Sequence, residues 1–117
     1  MNLDDATRAH VEWKIRLQAY QRGEGPKLDT LTVGSDCKCA LGQWLYGDGA
    51  AFGSLAEFRQ LKADHANFHK CAARVVTLID RKDAPGAQSL LLGEYAAASS
   101  KVVMAISQLK RVTARAA

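Results

Sequence analysis

The chain has 117 residues, 48% of them hydrophobic, enough to build one core in a single domain spanning residues 1–117 without disulfide staples. Its net charge of +4 is dispersed from Arg8 to Arg115 among interleaved acids rather than gathered in a basic block, which argues against a nucleic-acid partner. Asp4, Asp5, Arg8, Glu12, Lys14 and Arg16 interrupt the start of the chain before any apolar run reaches leader or membrane-span length, so the expectation is a soluble, cytoplasmic protein with no membrane association.

The first helix is expected over about Leu3–Gln21, where Ala6, His10, Trp13, Leu17 and Tyr20 recur at spacings of three and four and draw one stripe. Asp4 and Asp5 at its start and Arg22 at its end complement the helix dipole, and Gly23, Gly25 and Pro26 stop it. Residues 23 to 36 read as a polar connector ending in Ser35 or Asp36, either of which can cap a short helix from Cys37 to about Tyr46. Gly47, Gly49 and Gly53 break the chain again. Ser54 and Glu57 have the spacing of a capping box opening a third helix to about Lys82, with Phe58, Leu61, His65, Phe68, His69, Ala72, Val76 and Ile79 on its inner face.

A last helix is expected from about Ala84 to Ala114, with Pro85 in its first turn. Leu91, Tyr95, Ala98, Val102, Ala105, Leu109 and Val112 alternate by four and three, as in a coiled-coil seam. A second stripe through Leu92, Ala96, Ser99, Val103 and Ile106 widens the apolar face beyond one intramolecular contact and suggests a homodimer. No strand-type alternation appears. The expected fold is therefore all-α: an antiparallel four-helix bundle with one short helix that carries a cysteine.

Two histidines interrupt the apolar face of the third helix. His65 and His69 are four apart, so their rings leave one face a turn apart and can chelate one ion, and the neighbours Leu61, Phe68 and Ala72 offer their ring nitrogens no other partner. The third histidine, His10, lies on the core stripe of the first helix, where it is either a further ligand or a core-edge histidine bonded to a backbone carbonyl. Of three cysteines, Cys37 and Cys39 are too close to bridge, which fits reduced thiols or a metal ligand. Cys39 falls in the first turn of the short helix, where the dipole and free N–H groups favour a thiolate. Three imidazoles and one thiolate would close a four-coordinate zinc site. Cys37 and Cys71 are turned away from the neighbouring ligands and read as bystanders, with a Cys37–Cys39 chelate left open if that turn is not helical. Asp36, Glu12 and Asp64 are candidate acceptors for a ligating histidine's second N–H.

Taken together, the segments AHVEWKIRL with His10 and Trp13, CALGQWLYG with Cys39, Leu41, Gly42, Trp44 and Leu45, and DHANFHKCA with His65, Phe68 and His69 resemble the chemoreceptor zinc-binding domain family of bacteria. The resemblance extends to the GDGAAFGSLAEFRQL connector and to the tail around Gly93 and Ser99 or Ser100. It implies that His10, Cys39, His65 and His69 hold one Zn2+ per chain, with Gly42 and Trp44 packing beneath. It also implies a dimeric helical bundle coupled to an output such as a chemotaxis transducer or a diguanylate cyclase.

On this reading the chain is a non-enzymatic sensory or regulatory module in which zinc occupancy changes helix packing and is read by a signalling partner or output domain. The alternative is a redox sensor acting through the Cys39 thiolate. A zinc hydrolase is disfavoured, because four protein ligands leave no open position and Ala66 stands where an HExxH motif has its glutamate. A haemerythrin-like di-iron bundle needs more inward histidines and carboxylates than this chain has.

Overall fold

A computed structural model describes residues 2–116, with side chains through Ala114, so the domain limits at Met1 and Ala117 and the Arg115 side chain lie outside it. Among the described residues there is no strand. The helices are α1 (Leu3–Gln21), α2 (Thr30–Val33), α3 (Ala40–Tyr46), a 3-10 turn (Asp48–Phe52), α4 (Ala56–Asp80), α5 (Ala84–Leu92) and α6 (Glu94–Ala116). The all-α class holds, but a plain antiparallel four-helix bundle does not describe this arrangement.

Three long helices carry the core, and α1 runs parallel to α4 rather than against it. Tyr20 at the end of α1 donates to Asp80 at the end of α4, and His10 and Trp13 lie against Phe68 and His69 further back. Against α6 both are antiparallel: Lys110 pairs with Asp4, and Arg74 pairs with Glu94. Two parallel neighbours require the chain to travel back the length of the bundle between them. Residues 22–55 do this. Val33 in α2 meets His69, Cys39 meets His65, and Trp44 in α3 meets Phe58, so the connector descends α4 in order from its middle to its start.

The elements form for local reasons that the sequence largely announces. In α1 the stripe Ala6, His10, Trp13 and Leu17 is buried, and Asn2 caps the start by accepting from the Asp4 N–H. The single-turn α2 falls inside the stretch expected to be a connector. Its cap is Asp29, which accepts from the backbone N–H and hydroxyl of Thr32. The capping box expected at Ser54 does not form: Leu55 occupies the cap position of α4 with no side-chain hydrogen bond. The helix is held instead by its inner face, where Phe58, Leu61, Phe68, Ala72, Val75 and Val76 are all buried.

The last expected helix is broken once. Gly93, at φ −103° and ψ −101°, separates α5 from α6. The seam keeps its phase across the break, and Leu91, Tyr95, Ala98, Val102, Ala105 and Leu109 are all buried. Residues 84–114 are long and apolar enough to span a membrane by composition alone, a property shared by core helices, and this seam lies against α4. The second stripe is only partly free: Ile106 is buried and Ser99 faces α1, whereas Leu92 is exposed. Contact with both α1 and α4 accounts for much of the width of the apolar face.

Candidate metal centre

The connector's descent along α4 brings Cys39 to the two histidines. Nε2 of His65 and Nε2 of His69 are 3.0 Å apart, and Cys39 Sγ lies 3.2 Å from the first and 3.5 Å from the second. All three donor atoms lie within 4.8 Å of one another, and among the described residues this is the group that could hold a metal ion. Tetrahedral zinc with Zn–N near 2.0 Å and Zn–S near 2.3 Å separates neighbouring ligand atoms by about 3.3–3.6 Å. The observed distances agree to within a few tenths of an ångström.

The protonation of the cluster favours a cation as well. His69 Nδ1 donates to the Val33 carbonyl at 2.7 Å, which leaves its Nε2 as a lone pair aimed into the cluster. That acceptor is a main-chain group of α2 and not one of the three candidate acids. Asp36 instead accepts from the Tyr46 hydroxyl, and Asp64 accepts from Gln60. His65 Nδ1 is buried without a hydrogen-bond partner. Its other nitrogen, Nε2, therefore makes the polar contacts of this ring, all within the cluster.

Burial sets the electrostatics of the site. His65 is held near pKa 3 and His10 near 4, in both cases by burial first and by the neighbouring His69 second. Burial lowers His69 too, against the opposing bond to Val33. All three imidazoles are thus neutral at pH 7, the form a metal requires.

Cys39 departs from expectation. It is the N-cap of α3, one residue before the first turn, and its Sγ accepts from the Gly42 N–H at 3.3 Å. Burial nevertheless raises the thiol above its ordinary value, outweighing the backbone N–H groups of Gly42, Leu41 and Cys39 itself. A helix start therefore does not suffice to make a thiolate here. A bound cation would.

His10 stands beside the cluster without belonging to it. Its Nε2 is 2.9 Å from Ser99 Oγ on α6, and its ring packs on Phe68 with centroids 4.2 Å apart. A cavity of about 20 Å3 is lined by His10 together with Trp13, Cys39, Leu41 and His65. Trp13 closes one side, with its ring edge-on to His69 and the Arg16 guanidinium on its outer face. Cys37 is exposed and bonded to Ser35, while Cys71 is buried elsewhere on α4, so both stand outside the cluster.

Gly42 fixes the turn that presents Cys39. A Cβ added there would sit 2.0 Å from the Asp36 carbonyl oxygen and 2.9 Å from Cys37 Cα, both backbone atoms. Gly42→Ala is expected to destabilise the protein by about 3 kcal/mol, the upper part of the range for overpacking, because the main chain itself must move. Chemical denaturation measures this. Equal stability of variant and wild type would show that the 36–42 turn yields freely.

These features define a small helical domain with a buried cysteine–histidine cluster shaped for a soft or borderline divalent cation. The model of the chemoreceptor zinc-binding domain matches residues 10–76, more than half of the sequence, and the chain belongs to that family. The match begins at His10, contains Cys39, His65 and His69, and ends within α4, so α5 and α6 lie beyond it. No curated protein and no solved structure matches this chain.

Proposed function

We propose that this domain is a zinc-responsive sensory module that binds one Zn2+ per chain through His10, Cys39, His65 and His69. The observation that carries the reading is the convergence of Cys39 Sγ and the two Nε2 atoms at 3.0–3.5 Å in a buried site. His10 enters as the fourth ligand. The bond to Ser99 occupies its Nε2 and leaves Nδ1 as the free ring nitrogen, and His10 lines the small cavity together with Cys39 and His65. The ion would supply the positive charge that holds Cys39 as a thiolate.

The ligands come from α1, α4 and the turn before α3, so occupancy bears on the relative positions of these three elements. A signalling partner or attached output domain, of chemotaxis or cyclic-di-GMP type, would read that difference. The module is non-catalytic, since four protein ligands leave no position for a reacting water. We place it in the cytoplasm, where thiols stay reduced. It acts as a homodimer, for which Val11, Ile15 and Met104 supply exposed apolar side chains. Sedimentation as a monomer at micromolar concentration would remove the homodimer from this account.

A second reading, oxidant sensing through Cys39, has its own support. Cys39 is half-buried and lines an open groove of about 260 Å3 with Trp13, Thr32, Ser35 and Lys38, whereas His65 and His69 are almost fully enclosed. The sulfur is thus the ligand atom a small oxidant reaches first. Elemental analysis of the purified chain tests the common premise: one zinc per chain is expected, and metal-free protein after zinc loading and desalting would refute it. Zinc release by hypochlorite or peroxide faster than release to a chelator would favour the oxidant as input.

A further inference from the structure

The geometry points to Ser99 as the positioning residue that orients His10 toward the metal and carries the state of the site into α6. This rests on the zinc reading above and extends it beyond residues 10–76, the segment that the family model matches. Ser99 Oγ is 2.9 Å from His10 Nε2 across 89 residues of sequence, and it joins α6, which contributes no member of the Cys39–His65–His69 cluster, to the proposed ligand on α1.

An imidazole ligates through one nitrogen, and an acceptor for the proton on the other fixes its tautomer and orientation. For His65 and His69 the nitrogen facing the cluster is Nε2, and for His69 the acceptor is the Val33 carbonyl. For His10 the roles are reversed: Nε2 faces Ser99, so Nδ1 is the nitrogen left for the ion. The hydroxyl can accept here because a serine Oγ is both a donor and an acceptor, and the tautomer of His10 decides which it is in this bond. If Ser99 instead donated to His10, the ring proton would sit on Nδ1 and block ligation. Metal binding therefore selects the arrangement in which His10 donates and Ser99 accepts.

The same bond links the site to α6. The ring of His10 is also packed on Phe68, which in turn packs on Tyr95 of α6 one helical turn before Ser99. A ligated His10 is fixed in orientation, and its N–H then holds Ser99 in one place. Without the metal the ring is free to exchange tautomers, and that constraint on α6 is lost. The helix α6 thus receives a signal from the metal through the Ser99 hydroxyl, beside the packing of Phe68 on Tyr95.

The test compares Ser99→Thr with Ser99→Val, which have nearly the same shape and differ in the hydroxyl, beside Ser99→Ala and wild type. Zinc affinity is read by chelator competition, the ligand field by the visible spectrum of the Co2+ form, and α6 by hydrogen exchange of its amides with and without zinc. Wild type and Ser99→Thr are expected to agree within about threefold, whereas Ser99→Val and Ser99→Ala lose about 10–100-fold in affinity, the range for removing a partner of a ligating histidine. The two weakened variants are also expected to show a changed Co2+ spectrum and, at saturating zinc, no zinc-dependent slowing of exchange around residues 95–103. Equal affinity and equal α6 protection in all four proteins would overturn the inference while leaving the zinc site standing. Equal losses in the Thr and Val variants would also overturn it, since shape and not the hydroxyl would then be responsible. Failure of wild type to bind zinc refutes the underlying reading instead.

Discussion

His69→Ala is expected to lower zinc affinity by more than about 100-fold, beyond the range for residues that merely support a ligand. The substitution removes the one ring whose tautomer is already set for ligation, because Nδ1 is tied to Val33 and Nε2 points at both His65 and Cys39. It also leaves the Val33 carbonyl without that partner, so α2 loses its polar attachment to α4. Cys39→Ala is expected to match it in metal loss, since it removes the only sulfur in the cluster. The two variants should differ without metal. His69→Ala opens a cavity in the core and lowers the stability of the apoprotein by about 2–4 kcal/mol, whereas Cys39→Ala, at a half-buried position, costs about 1 kcal/mol. Competition with a chromogenic chelator and denaturation of the stripped proteins measure both quantities. Full zinc retention by either variant would remove that residue from the site.

The metal-free protein is expected to lose stability steeply between pH 6.5 and 4. His10 and His65 are neutral in the folded chain down to about pH 4 and 3, whereas in the unfolded chain they take up protons near 6.5. Below pH 6.5 the unfolded state therefore binds more protons, and stability falls as the pH falls. It is fully present above 6.5 and is lost on the way down to the folded values. Each histidine contributes up to about 1.4 kcal/mol per pH unit, so two units remove several kcal/mol from a small domain whose total stability is of the order of 5–15 kcal/mol. Zinc deepens the dependence, because protons and metal compete for the same nitrogens. Urea denaturation at pH 7, 6 and 5 gives the slope directly. A flat profile over that range would mean that the histidines charge inside the folded protein. His65→Leu should shift the acid transition downward.

Much of this was legible in the sequence, and the misses have physical causes. The stripe from Ala6 to Leu17 located α1 because a helix buried on one side must repeat at three and four. The His65–His69 pair was readable for the same reason: both members lie on one helix, where spacing is geometry. The helix expected from Cys37 starts three residues later, at Ala40, so that Cys39 is its cap rather than part of its first turn, and the expectation that its thiol ionises rests on helix-start electrostatics alone. Burial reverses that, and burial depends on how α3 meets α4 and α1, which no local window contains. The break at Gly93 escaped because the apolar seam continues through it in phase.

The partners of the histidines were the least legible part. Carboxylates are the side chains whose residue type announces an acceptor. The chain uses a backbone carbonyl and a serine. A carbonyl has no residue type, so only the single turn of α2 could have pointed to Val33, through Asp29 and Thr32 as its cap pair. The parallel course of α1 and α4 was hidden as well. Short connections imply antiparallel neighbours, but the intervening segment covers the full return path.

That return path has a kinetic consequence. The α4–α5–α6 hairpin holds the most extensive helix–helix contact of the fold, between α4 and α6, whereas the segment from α2 to the 3-10 turn docks on a surface that α1 and α4 must first create. It is therefore expected to settle last during folding and to open first in the native state, as a cooperative unit less stable than the hairpin. Because Cys39 and Val33 ride on that segment, its departure would uncover the sulfur, release the His69 tautomer and expose both imidazoles in one event. The lifetime of a bound ion would then be set by how often this flap lifts, an event that with metal present includes breaking the Cys39–metal bond.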